Sequence, residues 1–340
     1  MSSLKNIPQA IGIPFTKTYS STPPTSTQVH QELHARERRR RSSLNDRASS
    51  NSQPSAYSAN IARLRVNQKK NRYSDILPYD RTRVLVDGNE NEEGYLNANW
   101  VKEVDGERSW VAASAPLPNT VASFYTFLLT SNTQTIVQLT GLVESGVLKA
   151  DPYVPSDSSP VSFPDATLPG SIIEVRRVNV EKYHAETDCY ITELEIQGRG
   201  SVKLVKHLFF GGWPDRGVPT GEDSTMRLID FIKLANSLNS TSRDPLGPPI
   251  LVHCSAGVGR TGAYISIASL LRLYATFNPS RYPSPPESEL GPLPDLVKDD
   301  PVARTIDYCR DQRTTMVQTA EQVDLVCRAS DLILKDRLWN

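Results

Sequence analysis

The segment spanning residues 248–263 constrains the fold more than any other part of the chain. An apolar run at residues 250–252 follows two prolines, which predicts a short buried strand. Gly257 and Gly259 come next, and apolar residues with helical spacing continue as far as Tyr274. Where a strand passes through a tight glycine loop into a helix, backbone N–H groups converge and the helix dipole adds positive potential. The segment therefore predicts an anion-binding site.

Two residues of this loop give the predicted site a chemistry. Cys254 opens the loop and Arg260 closes it six residues later. A positive field of this kind stabilises a thiolate over a thiol, and a planar guanidinium holds two phosphoryl oxygens at once. The alternative is a buried structural cysteine near a surface arginine, because a Cys-x5-Arg pair often arises by chance. None of the other three cysteines has an arginine at that spacing.

Composition limits the class of protein. Lysine plus arginine number 38 and aspartate plus glutamate number 38 in 340 residues, so the net charge is zero. No global field then points to nucleic acid or to a membrane as a partner. Four widely spaced cysteines do not form a disulfide framework, and a thiolate nucleophile needs a reducing compartment. No apolar run reaches transmembrane length. These features predict a soluble cytoplasmic protein, with the nucleus as a second location.

The N-terminal region differs in character from the rest. Residues 1–58 are rich in Ser, Thr, Pro, Asn, Gln and Arg, which predicts a disordered tail. Residues 1–60 carry eight basic and three acidic side chains, a net charge of +5. Four arginines at residues 38–41 precede Ser42 and Ser43. This run is interpreted as a nuclear address, a kinase target or a solvated tail, and charge runs in tails favour the last.

Three further loops are ordinary when each is considered alone. Residues 70–80 form a polar loop after a short helix and contain Tyr73 and Asp75. Residues 210–219 are interrupted by glycines and prolines and contain Asp215. Residues 316–322 carry two glutamines four positions apart, a spacing typical of a hydrated helix face.

Together these segments carry a family resemblance. Residues 253–262, His-Cys-Ser-Ala-Gly-Val-Gly-Arg-Thr-Gly, resemble the signature of the cysteine-dependent protein tyrosine phosphatases. The loops at residues 70–80, 210–219 and 316–322 resemble that family's recognition, acid and glutamine loops, in the family's order. The likeness covers roughly residues 60–338 and is to classical, non-receptor members of fungal type.

The resemblance implies a fold and a domain division. The expected class is α/β (α+β), a highly twisted mixed β-sheet flanked by helices, after a disordered tail at residues 1–58. The phosphatase domain would occupy residues 59–340. A Pro- and Ser-rich stretch at about residues 278–297 is expected to be an exposed insertion, because essential segments lie on both sides of it.

The resemblance also implies hydrolysis of protein phosphotyrosine through a phosphocysteine intermediate. Cys254 would attack phosphorus while Arg260 and loop N–H groups stabilise the charge. Asp215 would protonate the leaving tyrosine oxygen, and Gln318 would position the water that hydrolyses the intermediate. The implied substrate-binding residues are Tyr73, Asp75, Ser255, Ala256, Gly257, Val258, Gly259, Thr261 and Gln322.

Several positions stay open. His253 either orients the loop, raises the positive field or simply packs, and Lys149 is either a neighbour of the acid loop or a surface lysine. Thr315 stands where some members have a glycine that opens a second anion pocket. Other departures from the family pattern are Ser114, Ala115, Ala150, Val154 and Arg216.

No metal or other cofactor is expected, because Arg260 and the helix dipole take the part of a cation. The expected partners are phosphotyrosine proteins, and the likeness to fungal-type members suggests mitogen-activated kinases among them. Two other functions compete. A dual-specificity phosphatase would have a shallower site, which the recognition loop at Tyr73 argues against. A phosphotyrosine-binding module without turnover would not need Cys254, Asp215 and Gln318 together.

Overall fold

Strand β11 (Ile250–His253) lies at the centre of a mixed sheet. Its four residues are all buried, and it pairs in parallel with β2 (Ser109–Ala113) and β3 (Thr135–Gln138). A parallel strand is covered on both faces, which explains the unbroken apolar run in its sequence. The computed structural model describes residues 23–44, 55–88, 94–242, 244–276 and 283–339.

The sheet extends from this parallel centre through antiparallel pairs. The remaining strands are β1 (Ala98–Lys102), β4 (Val143–Glu144), β5 (Val147–Leu148), β6 (Val161–Pro164), β7 (Ile172–Arg177), β8 (Lys182–His184), β9 (Cys189–Gly198) and β10 (Ser201–Phe210). The strand order in the sheet is β1-β2-β11-β3-β10-β9-β7-β6, with β8 beside β9. The long β9–β10 hairpin turns at Arg199 and Gly200, both at positive φ.

Helices cover both faces of the sheet, which confirms the predicted class. The helices after the N-terminal region are α2 (Asn60–Arg63), α3 (Arg65–Gln68), α4 (Val121–Thr130), α5 (Gly221–Asn239), α6 (Gly259–Thr276), α7 (Pro301–Gln312) and α8 (Ala320–Trp339). Ile250 and Val252 pack into the apolar cluster formed with α5, α6 and α8, while Leu251 packs on the other face against α4. This alternation along one strand divides the core into two layers.

The predicted disorder of the N-terminal tail is wrong for part of its length. Helix α1 (Ser26–Ser43) is capped at its N-terminus by Thr25, whose side chain forms a reciprocal capping box with Gln28. Its Val29 and Leu33 are buried in the main apolar cluster. Residues 55–58 are also described, and Tyr57 is buried. Of the predicted tail, residues 1–22 and 45–54 lie outside the described residues.

Buried ion pairs join α1 to α7. Arg36 Nε donates to Asp307 Oδ1 at 3.0 Å. Arg40, whose side chain is fully buried, reaches Asp307 Oδ1 at 2.8 Å and Asp311 Oδ1 at 2.7 Å. The composition of the run at residues 38–41 favours solvation, but Arg40 in this run and the nearby Arg36 have carboxylate partners about 270 residues later. Burial of a charge is tolerated where it is paired and hydrogen-bonded in this way.

The Pro- and Ser-rich insertion rests against the same helix. Residues 283–297 contain no helix or strand, as expected, whereas residues 277–282 lie outside the described residues. Arg36 donates to the carbonyls of Gly291 and Pro292 at 2.8 and 2.9 Å, and Val297 is fully buried. The described part of the insertion is therefore partly buried against α1 rather than wholly exposed.

We predict that Arg40→Met lowers the free energy of unfolding by about 3–5 kcal/mol, because it leaves Asp307 and Asp311 buried without their shared partner. Urea denaturation at neutral pH measures the change. Arg39→Met is the matched control, since the neighbouring Arg39 is exposed on the same helix. Equal effects of the two substitutions would show that the ion pairs do not stabilise the docked helix.

Candidate active site

The loop between β11 and α6 directs its carbonyl groups outward. The Ser255 carbonyl accepts from Ala115 N–H at 3.0 Å, and the Ala256 carbonyl accepts from the Ser114 hydroxyl at 2.8 Å. The N–H and C=O of one peptide unit point in opposite directions. The amides of Ala256 and Gly257 therefore face inward, and Cys254 Sγ accepts from Gly257 N–H at 3.3 Å. An anion site at this loop requires its amides to point in this direction.

Two glycines of the loop are closely approached by neighbouring groups, Gly257 by backbone and Gly259 by a side chain. Gly257 has φ of 71°, and a Cβ there would lie 2.0 Å from the Ala113 carbonyl oxygen. A Cβ at Gly259 would lie 2.8 Å from Gln322 Nε2. A larger residue at Gly257 would therefore displace the cradle from the end of β2, whereas one at Gly259 would push the Gln322 side chain aside.

Arg313 holds the cradle from below. Its guanidinium is fully buried and donates to the carbonyls of Gly257 at 2.8 Å and Ala256 at 3.2 Å. It also donates to Asn97 and Asn99 at 2.9 and 2.8 Å. Burial lowers the pKa of Arg313 to about 10, so the group stays charged at neutral pH. All these acceptors are neutral, so a positive charge remains beneath the loop that carries Cys254.

Arg260 is oriented by a residue that the sequence reasoning missed. Its Nη1 and Nη2 donate to the two carboxylate oxygens of Glu144 at 2.5 and 2.7 Å. Nη1 also donates to the Leu139 carbonyl at 3.0 Å. Burial acts to raise the pKa of Glu144, but the hydrogen bonds from Arg260, Thr140 and Gly141 and the charge of Arg260 together outweigh it, and the pKa is lowered. A bidentate pair of this kind fixes both the position and the plane of the guanidinium.

The sequence does carry a local signal for the hairpin turn next to Glu144. Glu144 is the last residue before Ser145 and Gly146, which both have positive φ and connect β4 to β5. A two-residue turn ending in glycine is the usual connection of a tight hairpin. The turn was therefore predictable, but its contact with Arg260 depends on tertiary structure.

The loop with Asp215 lies against this hairpin and against Arg260. Arg260 Nη2 donates to the Pro214 carbonyl at 3.3 Å, and the guanidinium carbon lies 5.8 Å from the centroid of the Trp213 ring. Asp215 is exposed, and its Oδ2 accepts from Ser145 N–H at 3.0 Å. The structure thus places the predicted acid loop next to the predicted phosphate-binding arginine.

The predicted recognition loop also meets the cradle. Ser255 Oγ donates to the Lys149 carbonyl at 2.6 Å and accepts from Tyr73 Oη, 2.8 Å away. Lys149 is half-buried and contributes its backbone to this contact. Asp75 is exposed and forms an ion pair of 3.5 Å with Arg41 at the end of α1. Tyr73 therefore borders the loop of Cys254, while Asp75 lies at the surface.

The two glutamines of the third predicted loop have different surroundings. Gln318 is exposed, and its N–H donates to Gln322 Oε1 at 2.8 Å. Gln322 is buried against Gly259, the first residue of α6. Gln322 thus holds the backbone of Gln318 beside the cradle, and the Gln318 side chain stays free to meet solvent.

His253 is part of a buried polar chain beneath the cradle. Its Nδ1–H donates to the Cys254 carbonyl at 3.0 Å, so the neutral ring accepts at Nε2 from Tyr153 Oη, 2.6 Å away. His207 Nε2–H donates to Gln138 at 3.0 Å in the same region. Burial lowers the pKa of His253 to about 4 and that of His207 to about 3. A neutral His253 favours the orienting interpretation over the one in which it adds positive charge.

The other sulfhydryl groups and Thr261 have distinct environments. Burial raises the pKa of the Cys189, Cys309 and Cys327 thiols to about 12, so these three stay protonated at neutral pH. Cys254 is 5% exposed. The Thr261 hydroxyl is buried, and within the described part of the chain it has no hydrogen-bond partner.

Neither a metal site nor a membrane span emerges from the described ranges. In residues 23–44, 55–88, 94–242, 244–276 and 283–339, no three His, Cys, Asp or Glu side chains are grouped so as to hold a metal ion. None of the helices within those ranges combines the length and apolarity that crossing a bilayer requires.

We predict that stability falls as pH is lowered from about 6.5 to about 4. The unfolded chain binds protons on His253 and His207 near their ordinary pKa of 6.5, whereas the folded protein does not. Lowering the pH from 7.5 to 5 should cost about 2 kcal/mol for each of the two. Urea denaturation at both pH values measures it. His253→Asn should reduce the pH dependence and His34→Gln, at an exposed position, should not; an unchanged dependence in His253→Asn would contradict the assignment.

Comparisons with known proteins show which family the chain resembles. Residues 67–331 match the family model described as protein-tyrosine phosphatase. The chain is 30% identical over 217 residues to human tyrosine-protein phosphatase non-receptor type 2, covering 64% of this chain and 49% of that protein. It is 36% identical over 208 residues to the Lar-like tyrosine-protein phosphatase of Caenorhabditis elegans, covering 61% of this chain and 9% of that protein.

The fold is shared with a solved structure. The catalytic domain of human protein tyrosine phosphatase non-receptor type 18 superposes with a TM-score of 0.68 at 23% sequence identity. The match covers 91% of this chain and 96% of that one. The chain thus spans nearly all of this solved domain but about half or less of the two curated relatives.

Proposed function

Because the chain belongs to the protein-tyrosine phosphatase family, we propose that it hydrolyses phosphotyrosine in protein substrates through a phosphocysteine intermediate. One observation carries the proposal. Cys254 lies at the floor of a loop whose amides face inward, and Arg260 is fixed by Glu144 against the loop that bears Asp215. Nucleophile, phosphate clamp and acid therefore occupy one region of the surface.

The first step transfers the phosphoryl group to sulfur. The Cys254 thiolate attacks phosphorus, and a P–S bond forms as the bond to the tyrosine oxygen breaks. Inward amides and Arg260 stabilise the charge on the three remaining oxygens. The carboxylic acid of Asp215 gives its proton to the departing tyrosine oxygen, because an unprotonated oxygen leaves slowly. The buried charge of Arg313 supports the thiolate from the other side.

The second step returns the enzyme to its starting state. A water positioned by Gln318 attacks the phosphorus of phosphocysteine, and the Asp215 carboxylate takes the water's proton. The P–S bond breaks, inorganic phosphate leaves and the thiolate is restored. The Thr261 hydroxyl, buried at the start of α6, is available to donate to that thiolate. The remaining roles proposed for substrate binding belong to Tyr73, Asp75, Ser255, Ala256, Gly257, Val258, Gly259 and Gln322.

We predict that Cys254→Ser abolishes hydrolysis of p-nitrophenyl phosphate assayed without added metal. A serine hydroxyl stays protonated at neutral pH and is therefore a much weaker nucleophile than a thiolate.

We also predict that Asp215→Ala lowers kcat on a phosphotyrosine peptide by about 10²–10⁴-fold while substrate binding persists. Vanadate should inhibit the unsubstituted protein. Unchanged rates in either variant would refute the mechanism, and an inactive unsubstituted protein that still binds phosphotyrosine would favour the binding-module alternative.

We further predict preference for phosphotyrosine over phosphothreonine in peptides of otherwise identical sequence. Tyr73 contacts Ser255 at the edge of the cradle, so the pocket has a wall that suits a long aromatic side chain. The ratio of kcat/KM for the two peptides measures the preference. Tyr73→Ala should reduce the ratio, and equal kcat/KM values in the unsubstituted protein would point to the dual-specificity alternative.

A further part of the proposal concerns the physiological partners of this chain. A solved complex of non-receptor type 18, which shares the fold, contains HER2-pY1248 phosphopeptides. For this chain, phosphotyrosine proteins are the proposed partners, and mitogen-activated kinases are proposed from the likeness to fungal-type members. Capture of phosphoproteins by Asp215→Ala, with Cys254→Ser/Arg260→Ala as the non-binding control, tests the partners.

A cytoplasmic or nuclear location is proposed because all four cysteines are free.

A further inference from the structure

The loop that precedes Gln318 is held in a strained conformation. Thr315 and Val317 both have φ of 57°. This left-handed region is costly for residues branched at Cβ, and two such residues lie within three positions. Conformations of this kind persist only where surrounding structure imposes them, and they concentrate at functional sites.

One of the groups that hold this loop comes from the N-terminal helix. Glu37 on α1 accepts from Thr315 N–H at 2.8 Å and from the Thr314 hydroxyl at 3.3 Å, both through Oε1. Glu37 is 4% exposed, so water does not compete for this contact. A residue 278 positions earlier in the chain therefore fixes the strained peptide at Thr315.

The same helix supports the other end of the loop. Arg310 donates to the carbonyls of Met316 and Val317 at 2.8 and 2.6 Å, and to the Leu33 carbonyl on α1 at 2.8 Å. Val317 N–H donates to the Val258 carbonyl in the cradle at 3.1 Å. The loop is thus fastened to α1 on one side and to the cradle on the other.

We propose that Glu37 is a positioning residue for hydrolysis of the phosphocysteine. By holding Thr315 it maintains the strained turn through Val317, and this turn sets where the next residue, Gln318, presents its amide to the attacking water. The inference rests on the proposed function and adds a residue of the N-terminal helix to it. It assigns Glu37 to the second step alone, because no contact of Glu37 reaches Cys254, Arg260 or Asp215 in the described residues.

A purely structural role for Glu37 is the competing explanation. Its Oε2 lies 3.6 Å from Arg40 Nη1, so it also balances charge in the buried ion pairs of α1. Two substitutions separate the roles. Glu37→Asp keeps the charge but withdraws the oxygen by one methylene from Thr315. Glu37→Gln removes the charge but keeps an oxygen that accepts from Thr315 N–H.

The experiment measures p-nitrophenyl phosphate turnover and the pre-steady-state burst of p-nitrophenol in the full chain. In Glu37→Asp, kcat should fall about tenfold while kcat/KM stays within about twofold. The reason is that kcat/KM reports only the steps up to and including phosphocysteine formation, whereas kcat also includes its hydrolysis. A burst approaching one equivalent per enzyme should appear. Glu37→Gln should keep the rates of the unsubstituted protein even where urea denaturation shows lower stability. Glu32→Gln, on the same helix, is the control.

A second variant tests the strain itself. Thr315→Gly adopts a positive φ without cost, so combining it with Glu37→Asp should restore kcat and remove the burst. The inference is overturned if Glu37→Asp leaves kcat and the burst unchanged, or if kcat and kcat/KM fall together. It is also overturned if Glu37→Gln alone slows turnover. An unsubstituted protein without phosphatase activity would refute the proposed function instead.

Discussion

The site depends on one buried charge, the guanidinium of Arg313. It bonds the carbonyls of Ala256 and Gly257 and so turns their amides toward Cys254. Its other partners, Asn97 and Asn99, are neutral and lie at the edge of the sheet. A carboxylate in their place would neutralise the charge that a thiolate and a phosphate need. Burying a cation against dipoles is costly, and the proposed mechanism gives this buried charge a use, because its field is directed at Cys254.

A second constraint links Arg260 to the loop that carries Asp215. Arg260 bonds Glu144, on the β4–β5 hairpin, and the Pro214 carbonyl on the loop that carries Asp215. The next residue of the hairpin, Ser145, bonds Asp215 itself. One short hairpin therefore contacts both Arg260 and Asp215, the proposed phosphate clamp and general acid. Contacts with the same element constrain the position of Arg260 relative to Asp215, which the proposed reaction requires.

Much of the fold and of the proposed site could be predicted from local sequence. The strand at residues 250–253, the glycines of the loop and the start of α6 follow from apolar patterning and from backbone geometry. The loops with Tyr73, Asp215 and Gln318 are predicted from their resemblance to the loops of a known family, in that family's order along the chain. Glu144 was missed because a single acid in a hairpin carries no signal of its partner 116 residues away.

The sequence by itself determined the central strand, the cradle and the types of residue that its chemistry needs, because these depend on neighbours a few positions apart. Tertiary structure alone decided the fate of the N-terminal arginines. Composition favours solvent for such a run, yet Arg36 and Arg40 are buried because Asp307 and Asp311 on α7 receive them. The same docking brings Glu37 to the loop of Gln318. Charge is solvated or paired according to what folds against it, and only the folded chain supplies that partner.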